Sequence, residues 1–187
     1  MRQWLKQCSV ELVSIGYGDD NHEVALLFPL IPVTGLEAAL SEVLPEYEGN
    51  IARTESPSRA RRHYLFLPVV TLLVLTALPA VIFEPLIWLS LVATLPLLVW
   101  NRLLSHRHAS IGYSPERVEI TTGGFNYKEF RIRMAAVQSV STHSTWFTER
   151  FNIKSYKVDY HAPRLRASAN VRYLSAEHLA ELRIGIV

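Results

Sequence analysis

The feature that most constrains this fold is a long apolar block over residues 64–100. Glu84 is the only acidic or basic side chain in the block, and an apolar run lies on each side of it. At about 1.5 Å per residue, helices over these runs would extend roughly 30 and 24 Å, and the hydrocarbon core of a bilayer is about 30 Å thick. We therefore predict a transmembrane helical hairpin over residues 64–104, with a tight turn at Glu84. The alternative is a buried helical pair in a soluble core, but such helices rarely stay apolar on every face.

Basic residues flank the apolar block on both sides. Residues 51–63 form a basic stretch that we interpret as a juxtamembrane linker, and Arg102 and Arg107 follow at the other end. The positive-inside rule places such flanks in the cytoplasm. The prediction is a multi-pass protein of the cell inner membrane with both termini cytoplasmic. Cys8 is the only cysteine, which excludes an intrachain disulfide and agrees with this compartment.

The net charge of +2 hides an asymmetry between the two ends of the chain. Residues 1–50 carry two basic and eight acidic side chains, a balance of −6. Residues 109–187 carry eleven basic and seven acidic side chains, a balance of +4. A basic domain beneath a membrane can contact anionic lipid headgroups, at about 1 kcal/mol per surface Lys or Arg. A merely solvated positive surface is at least as good an interpretation, and no basic stretch is dense enough to indicate nucleic acid.

Residues 105–187 have the pattern of one complete α+β domain. Alternation of polar and apolar residues predicts antiparallel strands, six or seven in all, in the stretches 110–113, 117–121, 125–134, 137–140, 153–160 and 170–174. Gly123 and Gly124 can adopt the positive φ that a tight hairpin requires. Ser175 is a suitable N-cap for a final amphipathic helix.

Residues 1–50 resemble the end of this domain and predict a partial repeat. Two strands precede a capping box from Thr34 to Glu37, which is typical of a helix start. Met1 would then fall in the middle of a domain. We expect the chain to be a fragment of a longer tandem protein, because an orphaned strand edge invites aggregation. Completion of the sheet by another chain is the alternative.

Four short motifs in the second domain carry a family resemblance. They are Ile111-Gly-Tyr113, Gly123-Gly-Phe125, Val137-Gln-Ser-Val140 and Arg150-Phe151 followed by Ile153. With the preceding hairpin, their order resembles the bacterial pleckstrin-homology-like (PH-like) family of YdbS/YdbT-type membrane proteins, over residues 60–187 and partially over 1–48. Asn152 stands where the family has Gly, and Asn tolerates the left-handed conformation. The resemblance implies a bent seven-stranded sheet capped by a helix, and no known reaction.

No catalytic, cofactor or metal site is predicted. His106 and His108 could be a metal pair or a pH switch, but juxtamembrane histidines are more typical of interfacial anchors. The Ser- and His-rich stretch around His143 lacks the Gly-x-Ser-x-Gly elbow of a hydrolase. Glu84 could carry protons, although a residue at a hairpin turn is more simply explained as solvated.

The candidate binding residues are cationic. We predict a face for anionic headgroups or for a partner, formed by Lys128, Arg131, Arg133, Lys154, Lys157, Arg164 and Arg166. The leading hypothesis is a non-enzymatic integral membrane protein whose cytoplasmic PH-like domains bind other membrane proteins, or each other, as a scaffold. The alternative is lipid or amphiphile binding, as an accessory to export or envelope stress resistance. A transporter subunit is disfavoured because the hairpin has only two spans without a convincing polar residue.

Overall fold

The computed structural model describes residues 7–12, 25–47, 49, 51–82, 86–160 and 167–175. Several predicted features lie outside the described residues. These are the turn at Glu84, the basic residues Arg164 and Arg166, and the C-terminal helix after Ser175.

The acidic first segment forms a strand hairpin followed by a helix, in the predicted order. β1 (Gln7–Leu12) pairs antiparallel with β2 (Ala25–Pro32), and α1 (Val33–Val43) follows directly. The predicted capping box at Thr34 is wrong. The observed N-cap is Pro32, two residues before Thr34. Pro32 has a φ of −65° and an extended backbone, and no side chain caps the first turn.

Two long helices form the predicted hairpin. α2 (Arg61–Ile82) and α3 (Leu86–His108) pack against each other, and they begin and end slightly outside the predicted bounds of 64 and 104. Pro96 lies within α3. Over the part of the chain that the structure describes, no helix combines the length and hydropathy needed to cross a membrane. The transmembrane assignment therefore stays a prediction from the sequence.

Two antiparallel sheets follow. The first contains β3 (Arg53–Glu55), β4 (Ser110–Tyr113), β5 (Arg117–Thr122) and β6 (Lys128–Arg133), in that order. The second contains β7 (Val137–His143), β8 (Ile153–Tyr160) and β9 (Ala167–Ser175). The interpretation of residues 51–63 as a linker needs correction, because β3 lies within them and pairs with β4. Three residues are too few to show the polar–apolar alternation of a strand. This stretch is a strand because it pairs with the open edge of β4.

The core lies between the two sheets. Val118 and Ile120 of β5 are fully buried, as are Val158 of β8 and Val171 of β9, and all four belong to one cluster. Tyr64, near the start of α2, joins the same cluster. The base of the helical hairpin is therefore packed into the domain core.

A short helix, α4 (Trp146–Glu149), connects β7 to β8, between the predicted strands 137–140 and 153–160. Thr145 and Thr148 form a reciprocal capping box at its start. Asn152, which follows α4, has a φ of 54°, so the expected left-handed conformation at this position is confirmed.

The β5–β6 turn rests directly on α3. Gly123 has a φ of 106°, and the N–H of Phe125 donates to Asn101 Oδ1 over 2.9 Å. A Cβ on Gly124 would lie 2.5 Å from the Asn101 backbone oxygen. Glycine at 124 thus permits a close approach between the sheet and the helix.

This contact predicts opposite outcomes for two Gly to Ala substitutions. We expect Gly124→Ala to lower the free energy of unfolding by about 1–3 kcal/mol, because the turn must move away from α3. Gly35→Ala is the matched control, since its Cβ would meet only Pro32 Cγ, at 3.8 Å, and alanine favours a helix by up to about 1 kcal/mol. The unfolding midpoints of the two variants measure the difference. Equal midpoints would contradict the close approach.

Candidate functional site

The outer side of the first sheet carries a set of charged side chains that strand alternation places together. We define the charged face by its members, Arg53, Arg117, Glu119, Glu129, Arg131 and Arg133. Glu119 of β5 lies opposite Arg131 of β6, and Arg117 lies opposite Arg133. Phe130 and Ile132 alternate with these residues of β6 and pack on the core side.

Glu119 is the centre of the charged face, and its side chain is only 1% exposed. Its Oε2 accepts from Arg53 Nη2 at 2.8 Å and from Arg53 Nε at 3.1 Å. Its Oε1 lies 3.2 Å from Arg117 Nε and 4.0 Å from Arg131 Nε. Three guanidinium groups therefore compensate one buried carboxylate, which would otherwise be very costly to remove from water.

The backbone register explains how Arg53 reaches Glu119 from two strands away. Arg53 lies opposite Gly112 of β4, and Gly112 lies opposite Glu119. Gly112 has no side chain, and a Cβ there would lie 3.3 Å from Arg53 Cγ. The Arg53 side chain thus crosses the β4 backbone at the residue that leaves space for it.

Glu129 is the second acidic residue of the charged face. It accepts from Arg53 Nη2 at 2.8 Å, from Arg131 Nε at 3.0 Å and from the Tyr127 hydroxyl at 3.1 Å. Burial alone would raise the pKa of Glu129, but the two guanidinium groups outweigh it and hold this pKa below its ordinary value. Burial, together with Glu129, raises the pKa of Tyr127 to about 12.

The acidic first segment docks on the charged face. Arg131 Nη2 donates to Glu37 Oε1 at 2.6 Å, and Arg131 Nη1 donates to the Tyr47 carbonyl oxygen at 3.1 Å. Arg133 Nη1 donates to Glu46 Oε2 at 3.4 Å. Arg117 donates to the carbonyl oxygens of Glu46 and Gly49. Carboxylates and carbonyl groups of residues 37–49 therefore occupy the donors of this basic surface.

The structure brings together two of the seven predicted cationic residues, Arg131 and Arg133. Lys128 is exposed at the start of β6 and alternates to the other side of the strand. Lys154 and Lys157 belong to β8 in the second sheet, where Lys157 Nζ pairs with Asp159 Oδ1 at 2.9 Å. Arg164 and Arg166 lie outside the described residues, and anionic headgroup binding stays a prediction for the whole set.

Sequence reasoning missed the buried part of the charged face. The i, i+2 spacing of Arg117 and Glu119 on a predicted strand was an available signal, because opposite charges on one strand face often pair across to a neighbour. Arg53 had no such signal, since its contact with Glu119 depends on the pairing of β3 with β4.

The histidines singled out at the end of α3 contact backbone. His106 Nε2 lies 3.1 Å from the Pro57 carbonyl oxygen, and His108 Nδ1 lies 2.8 Å from the Gly123 carbonyl oxygen. Each ring thus fixes the end of the helix to a different part of the domain. Among the described residues, no three His, Cys, Asp or Glu side chains gather in a group that could hold a metal ion.

The lowered pKa of Glu129 predicts a pH-dependent contribution to stability. At pH 7 we expect Glu129→Gln to lower the free energy of unfolding by about 1–2 kcal/mol, because two charged hydrogen bonds are weakened. The difference from wild type should remain above the ordinary pKa of 4.5 and shrink as the pH falls through the lower pKa of the folded state. Unfolding midpoints between pH 7 and pH 3 measure it. The control is Glu55→Gln, at an exposed position of β3, and a pH-independent Glu129 difference would contradict the prediction.

One family profile covers both the helical hairpin and strands of both sheets. The sequence profile of the bacterial PH domain matches residues 64–186. The transmembrane protein YdbT of Bacillus subtilis (strain 168) is 32% identical over 127 residues, which are 65% of this chain and 25% of that protein. The chain thus spans about a quarter of the length of this relative. No solved structure matches the chain. The resemblance inferred from the sequence motifs is confirmed, and the chain belongs to the bacterial PH domain family.

Proposed function

We propose that this chain is a non-enzymatic integral membrane protein whose PH-like domain binds acidic protein segments at the cytoplasmic side of the bilayer. The apolar block over residues 64–104 supports a membrane anchor, because Glu84 is the only acidic or basic residue in it before Arg102. The name of the Bacillus subtilis relative, a transmembrane protein, is in agreement. A domain held beside the membrane in this way is suited to scaffolding, with other membrane proteins or further copies of the domain as partners.

The observation that carries this proposal is the docking of residues 37–49 on the charged face. Arg131, only 15% exposed, binds the Glu37 carboxylate and the Tyr47 carbonyl group. A surface that offers fixed guanidinium donors to both carboxylates and backbone carbonyls is matched to a peptide segment, since a headgroup would supply only the anion. Residues 37–49 provide an intramolecular example of the acidic partner.

The second candidate function is the binding of anionic lipid headgroups. Lys128 favours it, because its side chain is exposed, whereas Lys157 is also exposed but pairs with Asp159. Arg131 and Arg133 favour it less, because each already binds a carboxylate of the first segment. An acidic partner protein and an anionic headgroup would therefore bind different cationic residues.

Charge reversal in α1 tests the recognition of the acidic segment. We expect Glu37→Arg to release residues 25–47 from the charged face, because two guanidinium groups would then oppose each other. The ion pair is partly exposed and worth about 1 kcal/mol, so cleavage of this segment by a dilute protease should accelerate roughly fivefold. Glu42→Arg is the matched control, as an exposed acidic residue of the same helix. Equal cleavage rates in the two variants would contradict docking through Glu37.

Cysteine labelling tests the proposed membrane anchor. In a Cys8→Ser background, we expect Glu84→Cys to react with a membrane-impermeant maleimide added outside the inner membrane of whole cells. Ser139→Cys, on exposed β7, should react only after lysis, because both flanks of the hairpin face the cytoplasm. Labelling of position 139 in whole cells would reverse the orientation. Protection of position 84 until lysis would contradict a spanning hairpin.

A further inference from the structure

A cleft opens where the helical hairpin meets β9. It consists of two neighbouring cavities, of about 370 and 260 Å³, which share Tyr64, Arg102 and Arg172 in their walls. Neither cavity is part of the charged face. The larger one extends along the helices, and the smaller one reaches the β5–β6 turn.

Two arginines that pair with no carboxylate among the described residues line this cleft. Arg102 is half-buried, and its Nε is shielded from solvent with no hydrogen-bond partner in the part of the chain that the structure describes. Arg172 is exposed, and its guanidinium forms no ion pair with a described residue. Arg53, Arg131 and the other arginines of the charged face contrast with them, because each lies beside a carboxylate. A buried guanidinium N–H that lacks an acceptor is an incomplete site for an anion.

Arg172 lies in a β-bulge of β9 and lines the cleft. Lys154 pairs with Leu174 and Tyr156 pairs with Val171, so two residues of β9 lie opposite one residue of β8. The two bulged residues are Arg172 and Tyr173, and Tyr173 has a φ of 60°. A bulky residue in the left-handed region costs free energy, and such residues and bulges are concentrated at functional sites.

The bulge also holds the base of the hairpin. Its two carbonyl groups accept hydrogen bonds from elements outside the second sheet, Arg172 from the Tyr64 hydroxyl at 2.7 Å and Tyr173 from Ser56 Oγ at 2.9 Å. These bonds keep the backbone of the bulge in place, and they use its carbonyl groups and not the Arg172 guanidinium.

The remaining wall of the larger cavity is mostly apolar. Pro68 and Leu72 of α2 and Leu98 of α3 line it, and His63, Thr71 and Tyr173 complete the lining. The cleft therefore combines a cationic end with an apolar groove between two helices. This combination matches a molecule with an acidic head and a hydrocarbon chain.

We propose that the cleft binds an anionic amphiphile, with its phosphate or carboxylate between Arg102 and Arg172 and its acyl chain against Pro68, Leu72 and Leu98. The inference rests on the proposed insertion of the hairpin in a bilayer, which would supply such a molecule at this level. It adds a ligand site that is separate from the protein-binding charged face. A free phosphate shares the headgroup chemistry, and only the apolar groove distinguishes the two sources.

Lipid binding to the whole chain in neutral detergent tests the proposal, with dioleoylphosphatidylglycerol as the probe and native mass spectrometry as the readout. We expect Arg102→Gln and Arg172→Gln each to weaken binding about tenfold, through loss of a charged hydrogen bond. Arg107→Gln is the matched control, because Arg107 is exposed at the end of α3 and lines neither cavity. Equal binding by all three variants and the wild type would overturn the proposal.

A second pair of measurements separates an amphiphile from a free anion. Leu98→Trp should weaken dioleoylphosphatidylglycerol binding, because the larger side chain would fill the groove. Both arginines are unchanged in this variant, so it still tests the site if Arg102→Gln does not fold. Glycerol 1-phosphate should bind at least tenfold more weakly than the lipid. Equal affinity for the two probes would overturn the proposal of an amphiphilic ligand and would assign the site to a soluble anion. Labelling at position 84 does not depend on either result, so failure of this site is distinguishable from failure of the anchor.

Discussion

The compensation of the buried Glu119 carboxylate is the interaction on which the arrangement of the first sheet depends. Arg53, Arg117 and Arg131 approach it from three strands, so the charge can stay buried only if β3, β5 and β6 keep their register. A one-residue slip would place an apolar side chain opposite the carboxylate and leave it unpaired. The same arginines extend beyond the sheet to the first segment. One buried charge therefore links the strand order of the domain to the position of residues 37–49.

A second set of contacts holds the helical hairpin at a definite place on the domain. The Tyr64 ring enters the core cluster, and its hydroxyl is bound by the β9 bulge. Asn101 and His108 of α3 bind the β5–β6 turn. Both helices are therefore fixed to β5 and β9 near their domain ends. The cleft with Arg102 and Arg172 lies between these two attachments.

Much of the second domain could be predicted from its alternating residues. The bounds of β4 and β8 agree with the prediction residue for residue, and Asn152 adopts the expected conformation. The failures have local physical reasons. β3 is too short to show a period, and Pro32 starts α1 without the capping box predicted at Thr34. Of the candidate cations, Arg131 and Arg133 lie on one face of β6, and the alternation of that strand is visible in the sequence. The lysines of β8 belong to the other sheet.

The sequence by itself determined the apolar hairpin, the strand-rich domain that follows it, the family, and the opposite charge of the two ends of the chain. These properties are periodic or compositional, so neighbouring residues suffice to define them. Only the tertiary structure decided which charges meet. Arg53 reaches Glu119 across Gly112, and Arg172, in the bulge of β9, lines the same cleft as Arg102. Pairing between distant elements sets both arrangements, and no local pattern in the chain encodes that pairing.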